Sequence, residues 1–496
     1  MVEDSSNIGS NQNLDTINFD VTNAICHSLL FILGRQYLND SFISKDNYIK
    51  PIKQPALAGQ LQLLQIASLD NSDITSVQQK LLALQTILSA CHNDENKELI
   101  FLTSSYKGEN KTYFGTRSKN KEFLEDMKYL LEANLLNLKI EDFDKNKINI
   151  TNKTSLLQDL QYATALTGIP SPNFGIYPNY SPIEHLSASL RDSPFMYMVI
   201  AKPIAEKQVN QIIDNLYELM GQVYFLGKVM LEQKITTELS NKSEQSVSQE
   251  IANETENGTT TEKSFESSLG LSLQAAIETA IELGLGEYFK PLSLTAKLEG
   301  KAETKISTNQ TNTEKNVIKD TIKYGNVSNE ATEDKRMTEL TFSREYINVR
   351  AQEAQQQIQQ YIERFKMSRA LGCWNVGVYF LAENPNIAQR GAKQLRGLLS
   401  GTRSLLEPIR VHDLDSVLNM PFPNDKPEIK YTVLDALKDF QQPNLALVEP
   451  NNPNLNLQHP LGSAFNGLTT PLTTEELSML INLPGALSQN RQATIQ

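Results

Sequence analysis

INVRAQEAQQQIQQYIERFKMSRALG, residues 347–372, runs directly into CWNVGVYFLAE, residues 373–383. The first piece places Val349, Ala354, Ile358, Tyr361, Ile362, Phe365 and Leu371 at helical spacing, with Gln, Arg and Glu between them. Gly372 is a helix stop. Residues 374–381 are β-branched and aromatic and read as a buried strand. Asn384-Pro385 breaks that strand and starts a second helix over residues 387–399 within NPNIAQRGAKQLRGLLSG. SLLEPIRVHDL, residues 404–414, supplies a further strand over 406–411. Helix, strand, helix, strand predicts an α+β fold built from sandwich units, with helices packed on mixed sheets.

Working outward, SPFMYMVIAKPIAEKQVNQIIDNLYEL, residues 193–219, repeats the coupling of strand and long helix. It predicts a strand over 195–201, broken at Pro203, and a helix over 205–230. Residues 155–230 and 345–415 are therefore expected to form one split α/β domain, with the two strands in the same sheet. LQDLQYATALTGIPSPN, residues 157–173, reads as a helix ending on Gly168. Upstream, a helix is expected over 19–38, a strand over 58–69, a helix over 77–91, strands over 98–104 and 112–116, and a helix over 123–136. That order suits a ferredoxin-like domain over 19–150. Residues 1–18 read as a disordered tail. Residues 416–496 read as a Pro- and Asn-rich extension ending in a helix over 474–483, where Thr473-Thr474-Glu475-Glu476 resembles a capping box.

Residues 231–342 differ in composition. Two polar flanks rich in Ser, Thr, Glu and Asn bracket one apolar stretch, LGLSLQAAIETAIELGLGEYFKPLSLTAKLEG, residues 269–300. Residues 292–306 alternate with period two. This reads as a long inserted arm whose stem is a β-ribbon or a helical hairpin. The flanks carry too little apolar surface to bury themselves, so the arm is expected to drive self-association. The candidate positions are Leu271, Leu273, Ile277, Ile281, Leu283, Leu285, Phe289, Leu292 and Leu294.

RALGCWNVGVYFLAE, residues 369–383, and QLRGLLSGTRSLLEPIRVHDL, residues 394–414, resemble the N-terminal, non-catalytic half of bacterial HerA-like ATP-binding proteins. These are relatives of FtsK and of conjugation and type IV secretion ATPases. Residues 193–219 and PLTTEELSMLINLP, residues 471–484, fit the same resemblance. It covers residues 155–235 and 345–485 most closely, and no catalytic residue falls in these motifs. A phosphate-binding loop needs GxxxxGK followed by Ser or Thr, so that backbone N–H groups and a Lys meet the phosphates. The chain contains no such motif. The resemblance therefore implies an assembly and docking module of a translocase, in a ring or collar, with the ATPase on a separate HerA-like chain. No enzymatic activity of its own and no cofactor are expected.

The 496 residues suffice for two to four domains. A net charge of −12 argues against a surface that grips nucleic acid throughout. Nucleic acid stays open as a partner through local patches. Cys26, Cys91 and Cys373 are few and far apart, which predicts a reducing, cytoplasmic setting. No apolar run reaches 18 residues, so membrane association is expected only through the arm.

Candidate chemistry is sparse. Cys26-His27 and Cys91-His92 are neighbours on helices, about 100° apart, and chelate poorly. His412-Asp413 follows a strand but has no nucleophile beside it in sequence. Arg390, Lys393, Arg396, Arg403 and Arg410 make one region basic enough to meet phosphate or an acidic partner. No catalytic, cofactor or metal residue is assigned. The rival function is a self-assembling structural or membrane-active oligomer built through the arm.

Overall fold

The computed structural model describes residues 25–38, 49–54, 59–69, 77–92, 97–106, 109–119, 123–135, 138–141, 155–172, 182–190, 193–226, 228–240, 319–324, 335–423, 431–449, 452–456 and 458–481. Residues 1–18, expected to form a tail, lie outside these. The chain divides into two compact units, Phe31–Tyr217 with Gln360–Gln496, and Met1–Leu30 with Glu218–Gln359.

The larger unit is built on one sheet. Its strands are β2 (Gln60–Leu69), β3 (Glu98–Tyr106), β4 (Glu109–Ser118), β5 (Leu138–Glu141), β6 (Tyr162–Thr167), β7 (Phe195–Ile204), β11 (Cys373–Ala382), β12 (Arg410–Asp413) and β15 (Thr470–Thr473). Their order is β12-β6-β11-β7-β3-β4-β2-β5, with β15 also paired to β11, and every ladder is antiparallel. The strand over 195–204 and the strand over 373–382 are direct neighbours, Tyr197 opposite Phe380, as the split-domain reading requires.

Two modules share this sheet. The first runs β2, helix α1 (Val77–Cys91), β3, β4, helix α2 (Phe123–Asn134), β5. Numbering its strands one to four, their spatial order is four-one-three-two, which with antiparallel ladders is the ferredoxin-like arrangement expected for this region. The second runs β6, helix α3 (Pro182–Ser189), β7, helices α4 (Glu206–Leu226) and α5 (Val349–Leu371), β11, helix α6 (Pro385–Leu399), β12. Its four strands are again ordered four-one-three-two. The modules meet through their second strands, β3 and β7, at Ile100 opposite Ile200. The strand order thus reads the same from either edge. The expected boundary near residue 150 does not separate two sheets, because the apolar strands β3 and β7 bury their edges against each other.

Both faces of the sheet are covered. Leu84, Ile87 and Leu88 of α1, Met127 and Leu131 of α2, Leu186 of α3 and Ala388, Ala392 and Leu395 of α6 share one core with Phe101, Tyr197, Val199, Trp374 and Phe380. The other face holds Ile100, Met198, Ile200, Tyr379 and Leu381. It packs against Leu38, against short helices at Asp415–Leu418 and Val433–Lys438, and against β13 (Leu445–Glu449), which pairs with β1 (Ile49–Pro51) and β14 (Asn452–Asn456). Strands buried on both faces read as unbroken apolar runs, which FMYMVI and VYFLA are.

Several expectations change. YATALT is a buried strand, β6, preceded only by the short helix Ser155–Asp159. Its small and β-branched residues fit between β11 and β12 (Ala163, Thr164 and Ala165 are all buried), and packing overrides its helical spacing. Gly168 follows with φ 114°, where a side chain would strike the backbone of Pro408. The strand expected over 406–411 begins only at Arg410, after a 3-10 turn at Thr402–Leu405. Residues 416–481 are no extension: Phe440, Leu447, Phe465, Leu472, Leu477 and Leu480 are buried, and β15 and helix α7 (Thr474–Leu480) join the sheet and its helical layer. Proline and asparagine mark irregular backbone there, not exposed chain.

The smaller unit holds the arm's stem. Strand β8 (Lys228–Ser240) pairs with β10 (Lys335–Ile347) along its full length, Lys228 opposite Ile347 and Ser240 opposite Lys335. Strand β9 (Lys319–Tyr324) lies on the far side of β10. Of the two stems left open by the sequence, the β-ribbon is the one formed. In the first module the corresponding connection is a tight hairpin closing at Tyr106 opposite Glu109. In chain order α4, the arm and α5 all stand between β7 and β11, where the first module has only that turn.

Candidate functional site

The five basic residues do not converge. Arg390, Lys393 and Arg396 lie exposed along α6, whose opposite side carries Ala388, Ala392, Leu395 and Leu399 into the core. Asn384 caps the helix by accepting from Ile387 N at 3.0 Å, and Pro385 occupies its first turn. Lys393 Nζ donates to Gln389 Oε1 at 3.3 Å. Arg403 pairs with Glu475 at 2.8 Å. Arg410, expected on the surface, is buried, and its guanidinium donates to Gly34 O at 2.9 Å. The nine arm residues from Leu271 to Leu294 lie outside the described residues.

What the structure adds is a set of buried cationic clamps that tie distant segments together. Residues 25–33 form a helix, and its last carbonyls have no partners inside the helix. Three side chains from elsewhere supply donors. Tyr361 Oη donates to Leu33 O at 2.9 Å, Arg410 Nη2 to Gly34 O, and His459 Nε2 lies 3.2 Å from Ile32 O. His459 Nδ1 accepts from Leu461 N at 3.1 Å, so the ring proton sits on Nε2 and the imidazole is neutral. Arg35, with φ 48° just past this helix, is fully buried. It pairs with Glu407 at 2.9 Å and donates to Thr469 O at 2.8 Å.

A second clamp joins α5 to α7. Arg364 grips Glu476 with two hydrogen bonds of 2.7 Å, from Nε to Oε1 and from Nη2 to Oε2. Burial alone would lower the guanidinium's proton affinity, and the Glu476 carboxylate raises it instead. Glu476 also completes a capping box with Thr473, so one side chain both starts α7 and neutralises Arg364.

His412, expected to follow a strand, lies within β12 with Nε2 2.7 Å from Thr167 Oγ1. Burial and then the charges of Arg35 and Arg410 lower its pKa to about 3. His459 is lowered to about 3 by burial and Arg35, against an opposing hydrogen bond to Ile32. A histidine whose folded value lies below its unfolded 6.5 stays neutral while the unfolded chain takes up a proton. Stability is therefore full above pH 6.5 and declines toward pH 3. At pH 5 each histidine is expected to remove about 2 kcal/mol. Asp415, raised to about 6 by burial and by Asp413, acts in the opposite sense but stands largely in solvent. Urea midpoints at pH 7.5 and 5.0 measure the net effect. An unchanged midpoint would contradict the neutral, buried imidazoles.

The cysteines Cys26, Cys91 and Cys373 are free and buried, and burial pushes their thiols up to about 12. Among the described residues no group of three or more His, Cys, Asp or Glu side chains is placed to hold a metal ion, and no helix is long and apolar enough to cross a membrane. The buried titratable groups hold segments together. No family model, no curated protein and no solved structure matches this chain.

Proposed function

We propose that this chain is a non-catalytic assembly and docking module of a HerA-like translocase or secretion-type machine. Its copies would form a ring or collar in the cytoplasm, and a separate chain would supply the ATPase. The observation that carries the assembly reading is the arm: paired 13-residue strands inserted where the companion module has a two-residue turn. A three-stranded ribbon of this kind reaches independent stability only where one of its faces is packed, and a second copy would supply that packing. The docking half of the proposal rests on the sequence resemblance. The surface it would offer a nucleoside-triphosphate motor includes the exposed Arg390, Lys393 and Arg396 row, which leaves nucleic acid as a competing ligand.

Strand length favours a second reading, since 13 residues exceed the 9–11 that cross a bilayer as a β-strand. A membrane-active oligomer would use the same arm. The experiment is the solution mass of the full chain beside a version with residues 235–340 replaced by a short Gly/Ser linker, with nucleotide hydrolysis measured on both. Self-association that depends on the arm, without hydrolysis, is the expected result. Robust hydrolysis mapped to a site in this chain would overturn it.

A further inference from the structure

Helices α2 and α6 hold equivalent places in the two modules. Each joins its module's third strand to its fourth, β4 to β5 and β11 to β12. Both feed the same core, α2 through Met127 and Leu131, α6 through Ala388, Ala392 and Leu395. They therefore cover one face of the sheet at its opposite ends, α2 over β4, β2 and β5 and α6 over β11, β6 and β12. From β2 to β6 that is about 24 Å at the usual strand spacing.

Their solvent sides carry opposite charge. α2 exposes Asp126, Tyr129 and Glu132, with Glu125 beside the first, and α6 exposes Arg390, Lys393 and Arg396. Both rows recur at every third residue, so each winds over about a third of the helix circumference and runs about 9 Å along the axis. No acidic residue occurs in α6. Among the described residues, none of the α2 carboxylates, Arg390 or Arg396 is in an ion pair, and Asp413 meets α6 through Gln389 at 3.0 Å, not through a base.

We infer that the acidic row of α2 in one copy docks on the basic row of α6 in the next, a head-to-tail contact between copies. The modules meet through antiparallel β3 and β7, so they point opposite ways and α2 runs antiparallel to α6. Copies set edge to edge in one orientation then bring Glu132 level with Arg390, Tyr129 with Lys393, and Asp126 with Arg396. Each copy offers two different surfaces, so the contact propagates and closes into a ring when successive copies rotate. A nucleic acid would engage the basic row and leave the matching acidic row idle. The inference rests on the assembly reading above: of the ligands open to the α6 row it takes the neighbouring copy. Exposed ion pairs are individually weak and salt-sensitive, so this contact would set which way neighbours face while the arm holds them.

The test reverses each row separately in the full chain. Arg390→Glu with Lys393→Glu and Arg396→Glu makes α6 acidic, and Asp126→Lys with Glu132→Lys makes α2 basic. Sedimentation at low salt should show each variant alone with its dissociation constant raised roughly tenfold or more. An equimolar mixture should recover association, because the acidic α6 of one variant meets the basic α2 of the other and their native rows also match. Separately, Glu132→Cys with Arg390→Cys should link copies into a ladder under mild oxidation, whereas either cysteine alone should not. This second measurement stands even where the charge variants misfold.

A mixture that fails to associate while both variants keep the native tryptophan emission would overturn the inference. So would the absence of a ladder, or variants that associate as the native chain does. If the α6 reversal leaves association unchanged but abolishes binding of a labelled oligothymidylate, the row serves a polyanion instead. A native oligomer indifferent to both reversals would make only this surface wrong. A native chain that is monomeric at every concentration would defeat the assembly reading itself.

Discussion

Glu476→Ala is expected to destabilise the protein by about 3–5 kcal/mol, because it strands a buried arginine without its counter-charge. Arg364 and Glu476 are 8% and 2% exposed, so water cannot replace the lost carboxylate. The same substitution removes the acceptor of Thr473 N, at 2.9 Å, and with it half of the capping box of α7. The loss should exceed what a surface pair would show, which is at most about 1 kcal/mol. Arg403→Ala, which breaks the exposed pair with Glu475, provides that comparison. Replacing both clamp residues with apolar ones, Arg364→Met with Glu476→Leu, should recover most of the stability, since no charge is then left buried alone. Urea unfolding measures all three variants. A cost below 1 kcal/mol for Glu476→Ala would mean that the pair is open to solvent.

Trp374→Ala is expected to cost about 3–5 kcal/mol, the range for large aromatic truncations in a packed core. Trp374 is the chain's one tryptophan, is fully buried, and stands edge-on to His92 with ring centres 4.8 Å apart. Its Nε1 donates to Thr474 Oγ1 at 2.9 Å, and that hydroxyl donates onward to Leu371 O at 2.6 Å. The last carbonyls of α5 are thus capped by the first residue of α7, with the indole as the third member. Gly372 makes the turn possible: its φ is 104°, and a Cβ there would lie 2.6 Å from the His92 ring. Trp374→Phe should cost less than the alanine because most of the packing survives. Native fluorescence should be that of an indole out of water, shifting red on unfolding. A water-exposed spectrum in the folded protein would contradict the burial.

These two sites show what was legible in the sequence. The burial of Trp374 and the stop at Gly372 followed from an apolar run after a helix. The pairing of 195–204 with 373–382 followed from two similar strand–helix units. α1 matched residue for residue, because Leu84, Ile87 and Leu88 recur at helical spacing. β6 reads as helix from sequence because Ala, Thr and Leu at mixed spacing fit either element, and only neighbours on both sides select the strand. Arg364 with Glu476, and Arg35 with Glu407, are 112 and 372 residues apart, and no local pattern announces them. Arg410 was grouped with Arg390 and Arg396 by proximity in sequence, yet β12 carries it into the core while α6 keeps the others in solvent. The repeat of the four-one-three-two order has no local signature, because residues 205–372 separate the second and third strands of the second module in sequence.

The ribbon's register also defines the deletion that decides the account. Lys234 and Thr341 are directly opposite each other on β8 and β10. Their Cα atoms are therefore about 5 Å apart, and a short Gly/Ser turn in place of residues 235–340 closes them as an ordinary hairpin. The remaining chain keeps α4, α5 and every strand of the nine-stranded sheet. Sedimentation equilibrium over a range of concentrations should then find the full chain in a defined oligomer and the deletion as a folded monomer with an unchanged tryptophan spectrum and a cooperative urea transition. A deletion that folds and remains as oligomeric as the full chain would contradict assembly through the arm.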